Sequence, residues 1–322
     1  MRERILFISG IVLLVGLVPL VYYLLFERGL SVASVRDEAP QAPAHFRVEP
    51  HQKKAPGIPV ALALNLVQGP VEIQRGQGEW KRAEVGMVLE ANDRIRTATG
   101  GQAALSMPGV FEVRLDSDSE FTVRSLAEDV FRFMLSEGMI DANVVDDPNT
   151  FFEVAASTAV ARTRGGSFRM HVDAEGQVAV GTQRGSVDLE AEGKVVKVAA
   201  GYLARAVRGE QPQDPIRIPK QLMLKVRWPK KRELSTRKLV LSGKTAPGAR
   251  LRIDGVTVAV DERGRFRKVV TLKEGSNRIA VESEDVGGNR TQLRSPSLQV
   301  DTRSDSFQIQ TSPDMWKKKK GG

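Results

Sequence analysis

Short stretches in which apolar and polar side chains alternate recur along most of this 322-residue chain. Between Val60 and Val207 they include residues 112–115, 121–123 and 187–189. Because successive side chains of a strand point to opposite faces of a sheet, a period of two predicts strands with one buried face. β-Branched residues are frequent in these stretches, and glycines separate them. The sequence therefore predicts an all-β fold.

One local design occurs three times within this part of the chain. Residues 64–73, 133–140 and 180–189 each place a glycine (Gly69, Gly138 or Gly185) between an arriving and a leaving strand. Glycine adopts positive φ at little cost, so each position predicts a tight turn. The spacing of the three is irregular. We therefore expect stacked hairpins in a sandwich or roll rather than a regular solenoid.

An uncharged apolar run extends over the 22 residues from Ile5 to Phe26. As a helix it would be roughly 33 Å long, enough for the ~30 Å hydrocarbon core of a bilayer. Arg2 and Arg4 favour a cytoplasmic N-terminus. The run predicts a single-pass anchor in the bacterial inner membrane, with the remaining chain periplasmic or otherwise extracytoplasmic. The alternatives are a cleaved signal peptide, with a small-residue site at 31–33, and a buried helix of a soluble domain.

Proline-rich joints divide the rest of the chain. We expect a short cytoplasmic tail and anchor at 1–26, a Pro/Ala-rich linker at 27–59, a β domain at 60–209, a linker at 210–221, and a second β domain at 222–300. The tail at 301–322 is polar and is expected to be disordered. It carries a candidate basic surface contact formed by Lys317, Lys318, Lys319 and Lys320.

The two predicted β domains have opposite charge, which the overall net charge of +9 conceals. Residues 60–209 contain 16 Lys and Arg against 21 Asp and Glu, a net charge of −5. Residues 222–300 contain 18 Lys and Arg against 8 Asp and Glu, a net charge of +10. The domains could attract one another or present different faces to different partners, and solvated surface charge is the simpler interpretation.

Gly69-Pro70-Val71, Asp93 to Thr97, Thr158 to Phe168, Gly185 to Val187 and Ala200-Gly201 occur in the order typical of a FecR domain, and the chain resembles that family over about 140 residues. The family usually has threonine where Gly166 stands, so a hydroxyl that could bond a neighbouring strand is missing. The resemblance implies structural or partner-contact roles for Gly69, Asp93, Thr97, Arg164, Gly165, Phe168, Gly185 and Gly201.

The FecR resemblance also implies transmembrane signalling to a cytoplasmic sigma factor. Proteins of that type carry a helical cytoplasmic domain ahead of the membrane span. Only four residues precede Ile5, and an isolated helix needs ~12 or more residues to be marginally stable. Direct anti-sigma regulation is therefore disfavoured. The expectation that survives is the family's extracytoplasmic role, which is sensing or contacting partner proteins.

A second resemblance covers the C-terminal β domain. Residues 242–255, 261–266, 272–279 and 285–289 resemble a bacterial immunoglobulin-like module of the type found beside glucodextranase. Such modules usually act as spacers between domains, as docking units or as binding modules. The residues that carry the match are turn-forming types rather than catalytic groups: Pro247, Gly248, Asp254, Gly255, Gly275, Asn277, Asp285 and Asn289.

No catalytic, cofactor-binding or metal-binding residue is predicted. The chain has no cysteine, and its three histidines, His45, His51 and His171, are too scattered for a relay or a metal cluster. Asp116, Asp118 and Glu120 alternate, which places three carboxylates on one predicted strand face. They could attract Ca²⁺, but a solvated acidic edge that discourages sheet association is the favoured interpretation.

These patterns predict a non-catalytic, membrane-anchored envelope protein whose extracytoplasmic domains bind or scaffold partner proteins. An accessory module that binds peptidoglycan or polysaccharide is the alternative, although residues 222–300 contain one tryptophan, Trp228, and no tyrosine for sugar stacking. Anionic wall polymer or lipid is a candidate partner of the basic domain. Nucleic acid is not expected, because the basic segments lack interleaved aromatics.

Overall fold

The computed structural model describes residues 61–127 and 129–303. The apolar run Ile5 to Phe26, the predicted linker 27–59 and the lysines 317–320 lie outside the described residues. Within the described ranges every regular element is a strand, and no helix is present that is long and apolar enough to cross a membrane. The predicted all-β class is confirmed for this part of the chain.

The first region, residues 61–217, contains fifteen strands that belong to one continuous sheet. In chain order they are β1 (Ala63–Gln68), β2 (Val71–Gln74), β3 (Trp80–Arg82), β4 (Arg94–Thr97), β5 (Gln102–Met107), β6 (Phe111–Leu115), β7 (Ser119–Ala127), β8 (Val130–Val144), β9 (Phe151–Ala155), β10 (Val160–Thr163), β11 (Gly166–Val172), β12 (Val178–Ala191), β13 (Lys194–Ala199), β14 (Tyr202–Ala206) and β15 (Ile216–Arg217).

The long strands β8 and β12 connect two layers of this sheet. Residues 130–137 of β8 pair with β7 and β9, whereas residues 138–144 pair with β6 and β11. In β12, residues 178–185 pair with β11 and residues 186–191 with β13. Gly138 (φ 101°) and Gly185 (φ 76°) lie at the two changes of partner. Positive φ bends each strand there, so the chain passes from one layer to the other without a loop.

This geometry corrects part of the expectation for the three glycine segments. Positive φ is present at all three glycines, but only Gly69 (φ 64°) lies in a turn, between β1 and β2. Gly138 and Gly185 are bends inside continuous strands. Alternation of side chains gives the same pattern on either side of a tight turn and of a bend, which is why the sequence did not separate the two.

The core between the layers is built around phenylalanines. Phe133 is 1% exposed, and its ring centroid lies 5.1 Å from those of Phe121 and Phe152 and 5.4 Å from that of Phe111. Phe168 extends the group at 6.2 Å from Phe152. Most of these pairs are tilted or edge-to-face, arrangements that aromatic rings favour. This cluster gives the first region one extended hydrophobic core.

The second region, residues 222–303, contains ten shorter strands in three small sheets, ordered β16-β18-β21, β17-β25-β22 and β20-β19-β23-β24. Their bounds are β16 (Leu224–Arg227), β17 (Glu233–Leu234), β18 (Lys238–Thr245), β19 (Arg250–Ile253), β20 (Val256–Val258), β21 (Arg265–Thr271), β22 (Gly275–Asn277), β23 (Ala280–Glu284), β24 (Arg290–Arg294) and β25 (Leu298–Val300). A separate core that includes Leu241, Leu251, Phe266, Val281 and Leu298 lies among them.

The segment 210–221, which the prolines predict to be a linker, is bonded to both regions. Its strand β15 pairs with β14, and the Ile218 amide donates to the Gly201 carbonyl at 2.9 Å. On the other side the Pro219 carbonyl accepts a 2.9 Å hydrogen bond from Asn289 Nδ2. The described residues of both regions belong to a single compact unit.

Candidate functional site: a charged junction between the two regions

The turn between β6 and β7 carries two of the aspartates that the sequence singles out. Asp118 has φ 56°, a left-handed conformation that aspartate tolerates better than most side chains, so Asp116 and Asp118 do not lie on one strand face. Asp118 accepts hydrogen bonds from Thr99 (2.8 Å) in the first region and Thr257 (2.7 Å) in the second. The expectation of a solvated acidic edge is wrong at this turn, because both carboxylates face the second region.

Arg250, the first residue of β19, occupies the centre of the contact and is 3% exposed. Its Nη2 donates to Asp116 of the first region and, at 2.6 Å, to Glu284 of the second. Burial of Asp116 favours its neutral form, but the charge of Arg250 and its hydrogen bond outweigh this and lower the pKa of Asp116 to about 2. The pair is therefore ionised at neutral pH, and it joins the two regions.

Glu284, at the end of β23, is the acceptor that three arginines share. Besides Arg250, it accepts 2.9 Å contacts from Arg169 of β11 and Arg290 of β24. Arg169 also binds Asp141 of the neighbouring strand β8 at 2.9 Å. A buried carboxylate with several charge-assisted donors is satisfied, whereas an unpaired one would be costly. The first region thus supplies a cation as well as anions.

Arg252 lies beside Arg250 and is less completely paired. Its Nη2 donates to the Ser117 carbonyl at 3.4 Å, and its Nε is buried without a hydrogen-bond partner, 3.9 Å from Asp118 Oδ2. Burial lowers the pKa of this guanidinium, as does the nearby charge of Arg250. Arg252 is therefore the least well satisfied cation of the contact.

His171 of β11 completes the contact, which we call the charged junction: Asp116, Asp118, Arg169, His171, Arg250, Arg252 and Glu284. The imidazole Nδ1 lies 3.0 Å from the Gly248 carbonyl, and since a carbonyl only accepts, Nδ1 carries the proton. Burial lowers the pKa of His171 to about 4, with the hydrogen bond to Gly248 opposing the shift. The ring is neutral near pH 7, and its role is to hold one region against the other.

Backbone contacts bring the regions close beside the charged junction. A Cβ on Gly181 would lie 2.6 Å from the Val286 carbonyl, so only glycine fits on this strand. Gln183 Nε2 donates to the same carbonyl at 3.2 Å. Leu203, Ala179 and Val286 form a small apolar cluster there. The regions are thus held by apolar packing as well as by charge.

An open cleft of about 430 Å³ lies between the regions at the solvent edge of the charged junction. Asp116, Arg252, Glu284 and Arg290 line it. Its charged groups bond mainly to one another rather than pointing free into the space. Among the described residues, no group of three or more side chains of metal-ligating type is placed to hold a metal ion.

The residues that carry the FecR resemblance are divided between buried and exposed positions: Asp93, Thr97 and Phe168 are buried, Gly165 is half-buried, and Gly69, Arg164, Gly185 and Gly201 are exposed. Phe168 is fully buried, and Asp93 pairs with Arg75 and accepts the Glu90 amide at 2.9 Å. Arg164 lies with its guanidinium carbon 4.1 Å from the Phe151 ring centroid. Gly69, Gly165, Gly185 and Gly201 all have positive φ.

Thr97 links this family motif to the charged junction. Its hydroxyl donates to the Asp116 carbonyl at 2.6 Å and accepts the Ser119 amide at 3.0 Å, so it closes both ends of the turn that carries Asp116 and Asp118. Thr97 is 4% exposed. It is therefore a positioning residue of the contact between the regions.

The backbone conformation explains why glycine, and not the threonine usual in the family, is present at position 166. Gly166 has φ 109°, and a Cβ there would lie 2.2 Å from the Arg184 carbonyl oxygen, so threonine does not fit this conformation. The Thr163 hydroxyl instead donates within the bend, 2.6 Å from the Gly165 carbonyl and 2.9 Å from that of Ser186. A neighbouring hydroxyl therefore makes the bond to the adjacent strand.

Most of the turn residues of the second region lie between strands, whereas Gly275 and Asn277 are the first and last residues of β22. Asp254 (φ 48°) and Gly255 (φ 82°) connect β19 to β20, and Gly275 has φ 87°. Asn277 binds the Lys273 backbone at both its amide and its carbonyl. Asp285 accepts the Gly287 and Asn289 amides, each at 2.9 Å. Pro247 directly precedes Gly248, the residue whose carbonyl binds His171.

Arg250, Arg252, Arg169 and Glu284 were not singled out by the sequence. The one available signal was the opposite charge of the two predicted domains, together with the acidic segment at 116–120. Strand alternation places Arg250 and Arg252 on the face opposite Leu251 and Ile253, where a solvated face is the ordinary expectation. Nothing in a single strand shows that the first region covers that face.

Comparison with known proteins supports the first-region assignment. Residues 93–188 match the family model described as FecR protein, so the chain contains a FecR domain at these positions. Asp93, Thr97, Arg164, Gly165, Phe168 and Gly185 lie within the match, whereas Gly69 and Gly201 lie outside it. No curated protein matches the sequence.

Several solved structures show limited similarity to this chain. Two are crystal structures of a proposed anti-sigma factor from Parabacteroides distasonis, 19% and 18% identical, each with a TM-score of 0.34 over 38% of this chain. The chain spans 59% of the length of each of these two proteins. A polysaccharide lyase structure, 10% identical, has a TM-score of 0.19 and covers 76% of this chain and 40% of its own.

Proposed function

We propose that this chain is a non-catalytic envelope protein whose FecR region and second region act together as one platform that binds or scaffolds partner proteins, in sensing or in assembly. The observation that supports the proposal most directly is the charged junction. Most of its buried polar groups are occupied by contacts within the junction, which fixes the relative orientation of the two regions and leaves their outer surfaces for binding.

The proposal includes location and the fold of the second region. The segment Ile5 to Phe26 anchors the chain in the bacterial inner membrane, with the N-terminus cytoplasmic and the two regions outside. The second region is an immunoglobulin-like β-sandwich. Protease treatment of spheroplasts tests the topology, because an extracytoplasmic platform is digested while a cytoplasmic marker protein survives.

Partner binding is tested by crosslinking the full-length, tagged chain in intact cells and capturing it under denaturing conditions. We expect the same membrane or periplasmic proteins in independent repeats. Arg250→Ala, which we expect to weaken the contact between the regions, should lose those that contact both regions, whereas Arg294→Ala, at an exposed position of β24, should retain them. Captures that are empty in every repeat, or a partner set unchanged by Arg250→Ala, would contradict the proposal.

An accessory module that binds peptidoglycan or polysaccharide is the second candidate, and the net charge of +10 on residues 222–300 favours it. Trp228 weakens it, because this side chain packs against the second core rather than standing free for sugar stacking. Pelleting of residues 57–322 with isolated wall polymer tests this function. No pelleting at low salt would remove it.

A further inference from the structure

The sheet β16-β18-β21 of the second region has an unusually basic outer face. The register places Lys225 opposite Lys244, and Lys244 opposite Arg265, so three cations stand side by side on neighbouring strands. The next row, two residues along, contains Arg227, Ser242 and Arg267. We call these two rows the cationic face. None of the three strands contains an aspartate or glutamate.

Such a row is unfavourable for the fold. Side chains directly opposite one another on paired strands have Cβ atoms about 4.5 to 5.5 Å apart, and like charges at that distance are destabilising. Among the described residues, Arg265 is the one cation of the cationic face with a carboxylate partner, Asp261 at 2.7 Å. Lys225, Arg227 and Lys244 are exposed without one. The arrangement therefore calls for an anionic partner outside the chain.

Two apolar side chains continue the same face. Val240 and Val269 are directly paired between β18 and β21, and they are 48% and 54% exposed. Their parity in the strands is that of Lys244 and Arg265, so they point to the same side of the sheet. The face thus combines two rows of cations with an adjacent apolar pair.

This combination fits a lipid surface better than a polysaccharide or a nucleic acid. Anionic headgroups attract clustered Lys and Arg, and small apolar side chains can enter the interface beneath them. Sugars and bases would be expected to stack on exposed aromatics. The one aromatic residue of these three strands, Phe266, is 4% exposed and lies beneath Gly243 in the second core.

We propose that the cationic face, together with Val240 and Val269, binds the surface of a bilayer that contains anionic phospholipid. This surface goes beyond the proposed binding of partner proteins and does not depend on it. It would orient the platform with β16, β18 and β21 toward the membrane and with the charged junction and first region available to other molecules.

Vesicle co-sedimentation of residues 57–303, a fragment without the lysines at 317–320, tests the proposal. Its described residues belong to one compact unit and contain both hydrophobic cores and the charged junction, so the fragment is expected to fold independently. We expect pelleting with phosphatidylcholine vesicles that contain about one third phosphatidylglycerol, and none with phosphatidylcholine alone. Raising the salt from about 0.1 M to about 1 M should release the protein, because the Debye length falls from about 10 Å to about 3 Å.

Matched charge variants locate the surface. Lys225→Gln/Lys244→Gln/Arg267→Gln should lower the partition coefficient by about a hundredfold, since each cation near an anionic surface contributes about fivefold to binding. Lys273→Gln/Arg278→Gln/Arg294→Gln removes the same charge from exposed positions elsewhere in the region and should change it less than about threefold. The first variant should unfold at the same or a higher temperature than the unaltered fragment, because it relieves cross-strand repulsion.

Val240→Ser/Val269→Ser provides a test that leaves the charge unchanged, and we expect a fall of several fold in partitioning. The proposal is overturned by equal losses in the two charge variants, or by the absence of pelleting with anionic vesicles. Binding to soluble anionic wall polymer but not to vesicles would assign the cationic face to polymer instead. Self-association that is lost with the first charge variant would assign it to a second copy of the chain.

Discussion

The two regions of this protein hold their strands together in different ways. The first has long strands that bend between layers and one extended core with phenylalanines at its centre. The second has shorter strands in three small sheets and a smaller core. Stability from burial grows with the apolar area removed from water, so the first region is expected to be stable by itself and the second to depend more on its partner. We expect the second region to depend on the first through the charged junction.

The largest expected effect tests the first half of this comparison. Phe133→Ala removes the ring that contacts Phe111, Phe121 and Phe152, and leaves a cavity in the centre of the first core. Loss of a buried phenylalanine costs about 3 to 5 kcal/mol of unfolding free energy. Urea denaturation of residues 57–322 measures it. Phe133→Leu is the matched control and should cost less, and equal effects of the two substitutions would contradict a tightly packed core.

The second prediction tests whether the second region depends on the charged junction. Arg250→Ala leaves Asp116 and Glu284 without their shared donor, and breaking a buried ion pair from one side costs about 3 kcal/mol or more. The second region should then unfold before the first, in two transitions visible by calorimetry. Arg294→Ala removes an exposed arginine from the same region. This variant should unfold in a single transition, as the unaltered protein does. A single transition in both variants would show that the charged junction does not couple the regions.

A third, pH-dependent effect sharpens the comparison by acting on His171. Its pKa is about 4 in the folded protein against an ordinary value of 6.5, so the unfolded chain binds more protons between those values. Stability is therefore lost as the pH falls from about 6.5 to about 4, by up to ~3 kcal/mol. His171→Gln should remove this loss. The measurement is the unfolding free energy at pH 7 and at pH 4.5. We expect it to fall more between these two values in the unaltered protein than in His171→Gln.

Asp173 opposes this effect and provides an internal control. Burial raises the pKa of Asp173 from 3.8 to about 6, so the folded protein takes up this proton first as the pH falls. Its contribution to stability therefore increases between about pH 6 and pH 4, opposite in sign to that of His171. Asp173→Asn should make the acid loss larger. A smaller loss in that variant would contradict the assignment.

How much the sequence could predict differs between these features. The glycines correctly indicated positive φ at Gly69, Gly138 and Gly185. Alternation depends on one strand at a time, and it correctly indicated an all-β fold for the described residues. It did not show that β8 and β12 continue through their glycines, because the pairing partners that change there are distant in sequence. The partners of Arg250 illustrate the same limit: Asp116 is 134 residues away, and only the three-dimensional fold brings the two together.

The role of Thr97 was only partly predictable from the sequence, and its substitution has the smallest expected effect on stability. The FecR resemblance named it, but only the structure shows that its hydroxyl closes the turn presenting Asp116 and Asp118 to the second region. Thr97→Val keeps the shape and removes both hydrogen bonds, which should cost about 1 to 2 kcal/mol because the Ser119 amide is left unpaired. In a double-mutant cycle with Arg250→Ala, the two losses should be less than additive, since both act on the position of Asp116. Thr122→Val, at another buried threonine of the first region, is the control and should add fully to Arg250→Ala. Additive losses for Thr97→Val would instead confine this family residue to the stability of the first region and leave the charged junction independent of it.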